Sequence, residues 1–211
     1  IDTTVPCYGS IYEPGDLGSG GRYIYAGGGA IRMNIAGTLA NNGRILANVP
    51  ADHYNNASGG SIWITTGNIA GGGEINANGG PVWHAEGTGG GGRIAVTLTD
   101  SDATFNAYTG VITAYGGWLG NNADNRGVNE YPRAGAGTIY LRAGGEALDE
   151  GTLIIDNADD RARRLTEING AVTGRRFKNV IIRNGAKLWL DDGETIEVSG
   201  DFHNTGMLIA S

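Results

Sequence analysis

Gly59-Gly-Ser-Ile-Trp-Ile-Thr-Thr66 and Gly91-Gly-Arg-Ile-Ala-Val-Thr-Leu98 are the same phrase written twice. It occurs again as Gly28-Gly-Ala-Ile-Arg-Met-Asn-Ile35 and Gly135-Ala-Gly-Thr-Ile-Tyr-Leu-Arg142. A shorter phrase is interleaved: Gly43-Arg-Ile-Leu-Ala-Asn48, Gly73-Glu-Ile-Asn-Ala-Asn-Gly-Gly80 and Gly110-Val-Ile-Thr-Ala-Tyr-Gly-Gly117. Self-similarity of this kind is the signature of a repeat architecture. The first apolar residues of the longer phrase, Ile31, Ile62, Ile94 and Ile139, are spaced by 31, 32 and 45 residues. Those of the shorter phrase, Ile45, Ile75 and Ile112, are spaced by 30 and 37.

Within each phrase the apolar residues alternate, as in Ile31, Met33, Ile35 and Ile94, Val96, Leu98. Period two is the mark of a half-buried strand. Glycine clusters between the strands permit tight changes of direction. Short strands at a near-constant repeat fit a β-solenoid, each coil stacking its Ile, Val and Leu on those of the coil below. A β-sandwich is the competing architecture, since Asn-Gly hairpin dipeptides occur at Asn42, Asn78, Asn169 and Asn184. A sandwich does not require whole phrases to recur in register, so the expectation is a parallel β-helix. The one stretch that could form a short helix is 158–168, Ala-Asp-Asp-Arg-Ala-Arg-Arg-Leu-Thr-Glu-Ile.

The chain resembles the glycine-rich right-handed parallel β-helix repeats of large secreted bacterial surface proteins. The phrases that carry the likeness are residues 58–64, 73–80, 89–95, 135–141 and 153–157, in that order. It covers about residues 26 to 157. The resemblance implies a right-handed β-helix, export, and an extracellular or cell-surface setting as a processed protein. It brings no catalytic residues.

Glycine accounts for 39 of 211 residues, against a usual share of about 7%. The glycines punctuate apolar strands, so the chain is not a low-complexity linker. The net charge of −7 argues against nucleic-acid binding. No apolar run approaches the roughly 18 residues that a membrane helix needs. The single cysteine, Cys7, rules out a disulfide within the chain and leaves a buried thiol, a free thiol or an intermolecular link. Asn56-Ala-Ser58 matches the N-glycosylation pattern, a triplet that also arises by chance.

Residues 1–25 lack the repeat and contain Pro6 and Pro14. They read as a cap or an exchanged strand ahead of a β-helix spanning 26–211. The C-terminal residues, among them Met207, Leu208 and Ile209, fall inside a further strand phrase. An uncapped coil exposes strand edges and core, so either a longer array or a neighbouring subunit is expected there. Ile1, Val5, Cys7 and Tyr12 at one end and Met207, Leu208 and Ile209 at the other are the candidate assembly residues. A heterologous contact between the ends would propagate into a filament.

Three inserts, 49–58, 81–88 and 118–134, leave the repeat at the same place, just after the shorter phrase. In a solenoid such inserts stack on one face, and that face often binds. Tyr54, Trp83, Trp118 and Tyr131, with His84 and Asp124, would offer aromatic faces and hydrogen bonds to a carbohydrate. His53 and His84, with Glu86 or Asp52, are an alternative metal set. The plain alternative is that these aromatics pack the inserts onto the coils. Asp100, Asp102, Asp156, Asp159, Asp160, Asp191 and Asp192 supply hard oxygen atoms for a structural Ca2+, but without an EF-hand or nonapeptide loop they read better as solvated turns.

Glycoside hydrolysis needs a carboxyl pair, for which Asp191, Asp192 and Glu194, or Asp156 and Asp160, are the candidates. No acidic pair recurs at coil spacing, and no nucleophile elbow, zinc-protease helix or phosphate loop is present. Thr65, Thr97 and Thr113 do not form the regular ladder of an ice-binding face. The sequence therefore points to a non-enzymatic structural β-solenoid: a filament subunit, stalk or adhesin segment. It would assemble with copies of itself or adjacent domains. A carbohydrate-binding module on the insert face is the second reading.

Overall fold

A computed structural model describes residues 9–21, 25–49, 56–81, 88–118, 133–158, 165–168 and 175–210. The fold is all-β with parallel sheets. The longer phrase forms β1 (Ala30–Ala40), β3 (Ser61–Ala70), β5 (Arg93–Leu98) and β7 (Thr138–Arg142). The shorter phrase forms β2 (Arg44–Leu46), β4 (Glu74–Asn76) and β6 (Val111–Thr113). The strands pair in parallel, and in the register the spacing predicts. Ile31 faces Ile62, Ile62 faces Ile94, and Ile94 faces Ile139. Ile45, Ile75 and Ile112 form a second column in the sheet β2-β4-β6. Like residues stack on like, so one apolar core runs between the two sheets. It contains Ile45, Ile62, Ile64, Ile75, Ile94, Val96 and Ile139.

Glycine at the corners is a steric requirement. Backbone oxygens of neighbouring repeats lie where a side chain would begin. A Cβ on Gly59 would sit 2.0 Å from the Ala77 carbonyl oxygen, and one on Gly92 2.0 Å from that of Gly60. Gly60, Gly92 and Gly137 donate their N–H groups to the carbonyls of Ala47, Ala77 and Ala114 at 2.7–2.8 Å, joining each repeat to the one before.

Stacking in one direction stops at β7. The next strand, β8 (Thr152–Asp156), pairs with β7 antiparallel, with Ile139 opposite Ile154 and Tyr140 opposite Leu153. The phrase at 153–157 thus does not continue the parallel stack, as the sequence had suggested. The reason is the connection, residues 143–151, which is long enough for a hairpin. A parallel crossover needs about a dozen residues or more. From β8 onward parallel stacking resumes in the reversed direction. β11 (Asn179–Arg183) lies on β8, and β14 (Phe202–Asn204) on β11. These seven strands form one sheet, ordered β1-β3-β5-β7-β8-β11-β14.

Two smaller sheets accompany the second half. One comprises β9 (Thr166–Glu167), β12 (Lys187–Leu190) and β15 (Met207–Ala210); the other comprises β10 (Arg176–Phe177) and β13 (Glu197–Val198). β9 lies in the stretch where a short helix was conceivable. Of the described residues 165–168, Thr166 and Glu167 are strand, and 159–164 lie outside the described residues.

The reversal moves the core to the other face of the large sheet. Alternation places Ile139 and Ile154 on one face, and Tyr140, Leu153 and Ile155 on the other. The second core contains Ala95, Tyr140, Leu153, Ile155, Phe177, Val180, Ile182 and Leu188. β5 lies between the two cores: Ile94 and Val96 belong to the first and Ala95 to the second. All six of its residues are buried.

The N-terminal segment packs against this second core. Ile11 and Tyr12 are members of it. The Tyr12 ring meets Tyr140 edge-on at 4.8 Å between centroids and lies 5.9 Å from Phe177. The Tyr12 hydroxyl donates to the Arg176 carbonyl at 3.2 Å. Nearby, the Ser61 hydroxyl donates to the Asp16 carbonyl.

Candidate functional site

Two regions of the described structure combine exposed chemistry with a defined scaffold. They are the corner where the inserts leave the coils and the edge formed by β14 and β15.

At the corner the stems of the inserts hydrogen-bond to one another. Val49 donates to Asn78 and Gly79 to Tyr115, Gly117 donates to Gly89, and Ala134 donates to Gly117. The stems are therefore neighbours, as their common position in the repeat predicts. Trp118 stands on the third stem with 42% of its surface exposed.

A polar cluster closes the same corner. Asp156, at the end of β8, is 5% exposed. Its carboxylate accepts from Arg183 Nε at 2.7 Å, from the Asn184 amide at 3.0 Å and from the Ala158 N–H at 2.9 Å. Ala158 and Asn184 both have positive φ, 65° and 52°. The Asn157 side chain is fully buried and bridges the two ends of the third insert, accepting from the Gly116 N–H and donating to the Ala134 carbonyl. Arg133 Nη1 donates to the Gly116 carbonyl. Burial pushes the Tyr115 phenol above its ordinary pKa, and the Asp156 charge adds to this; Arg183 and Arg133 oppose it. The arrangement ties the two ends of the third insert to each other, with the exposed Trp118 beside them.

At the edge, Phe202, Met207 and Leu208 are 47%, 46% and 42% exposed. Two of them continue columns of the second core. Phe202 follows Leu153 and Val180. Leu208 follows Thr166 and Leu188. Among the described residues no further strand pairs with β14 or β15.

The other predicted residues divide as follows. Tyr12, expected at an open end, is 6% exposed and anchored inside the second core. Ile209 is half-buried on β15. Ile1, Val5, Cys7, Asp52, His53, Tyr54, Trp83, His84, Glu86, Asp124, Tyr131, Asp159 and Asp160 lie outside the described residues. The remaining carboxylates make local contacts. Glu194 accepts from Arg175 Nη2 at 2.7 Å and from the Asp191 N–H at 2.9 Å, and Asp191 Oδ1 accepts from the Asp192 N–H. The Arg175 contact holds the Glu194 carboxyl below the usual glutamate range. Among the described residues no group of three or more His, Cys, Asp or Glu is gathered for a metal. Among the described residues no helix is long and apolar enough to cross a membrane.

Sequence reasoning missed the Asp156–Asn157 cluster, in which Asn157 clasps the two ends of the third insert. The signal present was an Asp-Asn pair directly after an apolar strand, a common capping pattern for turns. No family model, curated protein or solved structure matches the chain.

Proposed function

We propose that the protein is an extracellular structural β-solenoid. In this reading it is a right-handed β-helix of two stacked halves that serves as a filament subunit, stalk or adhesin segment. The reversal of strand direction at β8 is accompanied by the change of core face. The two inversions cancel, so both halves wind with the same hand if their coils close. What supports a structural role is the in-register stacking of like residues, which yields a long apolar core with little surface spent on chemistry. The observation that supports assembly is that, among the described residues, two core columns reach the edge strands β14 and β15 on the exposed residues Phe202 and Leu208. Exposed edges of this kind pair readily with further strands.

Negative-stain microscopy and light scattering of the purified chain test the reading. Elongated particles that associate with rising concentration are expected. A monomer over the whole range removes self-assembly.

A second reading is favoured by Trp118 and the adjoining insert stems: a carbohydrate surface on that corner. Stacking of a sugar ring on an exposed aromatic face suits this geometry. A glycan array is the test. Binding that Trp118→Ala abolishes is expected, and an array without hits rejects it.

A further inference from the structure

We propose that Asn184 is a site of spontaneous covalent modification. Attack by the Gly185 backbone nitrogen converts its side-chain amide to a carboxylate, and that conversion breaks its contact with Asp156. The proposal stands apart from the assembly reading. Its substrate is the chain itself, with water as the co-reactant.

Asn-Gly pairs invite this chemistry, because glycine puts no side chain in the way of its own nitrogen. Three lie among the described residues: Asn42-Gly43, Asn78-Gly79 and Asn184-Gly185. The structure separates them first by the state of the nucleophile. The Gly43 N–H donates to Asn41 Oδ1 at 3.1 Å, and the Gly79 N–H to the Tyr115 carbonyl at 2.9 Å. Among the described residues the Gly185 N–H donates to no group. Asn184 is also exposed. With Gly185 it forms the turn between β11 and β12, at φ 52° and 71°, closed by the Ala186 N–H donating to the Arg183 carbonyl at 3.1 Å.

The three pairs differ also in which end of the amide is used. Asn42 Oδ1 accepts from the Gly72 N–H at 3.1 Å, and Asn78 Oδ1 from the Tyr115 N–H at 2.7 Å. A carboxylate in either place would still accept. Asn184 instead uses its NH2 group, which donates to Asp156 Oδ1 at 3.0 Å. A carboxylate there has no donor to offer. It would set a second negative charge against Asp156, a side chain only 5% exposed. Arg183 Nε, already bonded to Asp156 Oδ2 at 2.7 Å, would have to serve both. The next residue, Asn157, clasps the two ends of the third insert, so the disturbance starts beside that clasp.

The step balances with water alone. The Gly185 nitrogen bonds to Asn184 Cγ and gives its proton to solvent. The Cγ–Nδ2 bond breaks, and ammonia departs with a proton taken from solvent. The cyclic imide then adds one water and opens at either carbonyl. One opening leaves an aspartyl residue at position 184. The other leaves an iso-aspartyl residue, which adds a methylene to the backbone of the turn.

Peptide mapping by mass spectrometry, on the full chain stored in mildly alkaline buffer, reads the site. Conversion of amide to acid is expected at Asn184 ahead of Asn42 and Asn78. Conversion first at Asn42 or Asn78 would overturn the assignment. Thermal melting reads the consequence. Aspartate tolerates positive φ as asparagine does, so Asn184→Asp changes chiefly the contact with Asp156. It should lower the melting temperature by about 4–8 °C. Asn184→Gly, which loses the hydrogen bond without adding a charge, should lower it less. Asn42→Asp should stay within about 2 °C. An Asn184→Asp chain as stable as the parent, or no less stable than Asn184→Gly, would overturn the link to Asp156.

Discussion

At the residue scale, the close approach of stacked repeats makes glycine irreplaceable at particular corners. Gly59→Ala or Gly92→Ala would drive a methyl to 2.0 Å from a backbone oxygen. Neither repeat can yield without losing stacking, so each should cost about 2–3 kcal/mol. Urea unfolding measures this, and an unchanged midpoint would show that the corners are looser than described. Tyr140 is a second such residue. Its buried hydroxyl donates to the Leu148 carbonyl and accepts from the Gly151 N–H at 3.0 Å, pinning the hairpin loop. Tyr140→Phe leaves both backbone groups without that partner and should cost about 1–3 kcal/mol. Glu194 gives a pH signature. Its folded-state pKa is depressed, so the unfolded chain binds the extra proton. Its contribution is complete above the ordinary glutamate value and is lost as pH falls through the lower folded value. Glu194→Gln should flatten that acid limb of a plot of urea midpoint against pH.

At the element scale, the decisive strand is β5. Its two faces serve two cores, and the charge it buries, on Arg93 at its start, donates to the Thr138 hydroxyl at 3.0 Å; a new unpaired charge at its centre has no such partner. Val96→Asp should abolish cooperative folding, because an unpaired carboxylate would enter the first core. Val111→Asp, on a strand residue 56% exposed, should stay within about 0.5 kcal/mol. Near-ultraviolet circular dichroism and thermal melting distinguish the two. The register of β1, β3, β5 and β7 was legible in the sequence because it depends on the order of residues inside each phrase. Insert lengths do not disturb it, which is why Ile139 still finds Ile94 across 45 residues. The reversal at β8 was not legible from its own strand. Leu153-Ile-Ile155 is apolar at consecutive positions and suits either face. The usable signal lay in the short glycine-containing link, with Gly145 at φ +78°. The place of Tyr12 in the second core was not legible for a related reason: its partner Arg176 is 164 residues away, and no local periodicity reports such a contact. Of the candidate site, the convergence of the insert stems could be read from their common position, whereas the Asp156 lock required the three-dimensional path of β8 and β11.

At the scale of the whole molecule, the two cores share β5, β7 and β8 and should not unfold separately. Ile62→Ala in the first core and Leu153→Ala in the second remove fully buried side chains, each at a cost of about 2–5 kcal/mol. Calorimetry should show one transition that both variants lower. Two resolved transitions would mean that the halves are independent. The unequal widths of the ladders have a mechanical consequence. Hydrogen bonds between strands run across the sheet, so tension applied from β1 to β14 loads the strand pairs in series. β1 and β3 share nine residue pairs, whereas β7 and β8, and likewise β11 and β14, share three. The β7–β8 ladder is backed by a core on each face, while all three residues of β14 are exposed, so under load the sheet would tear first at β14.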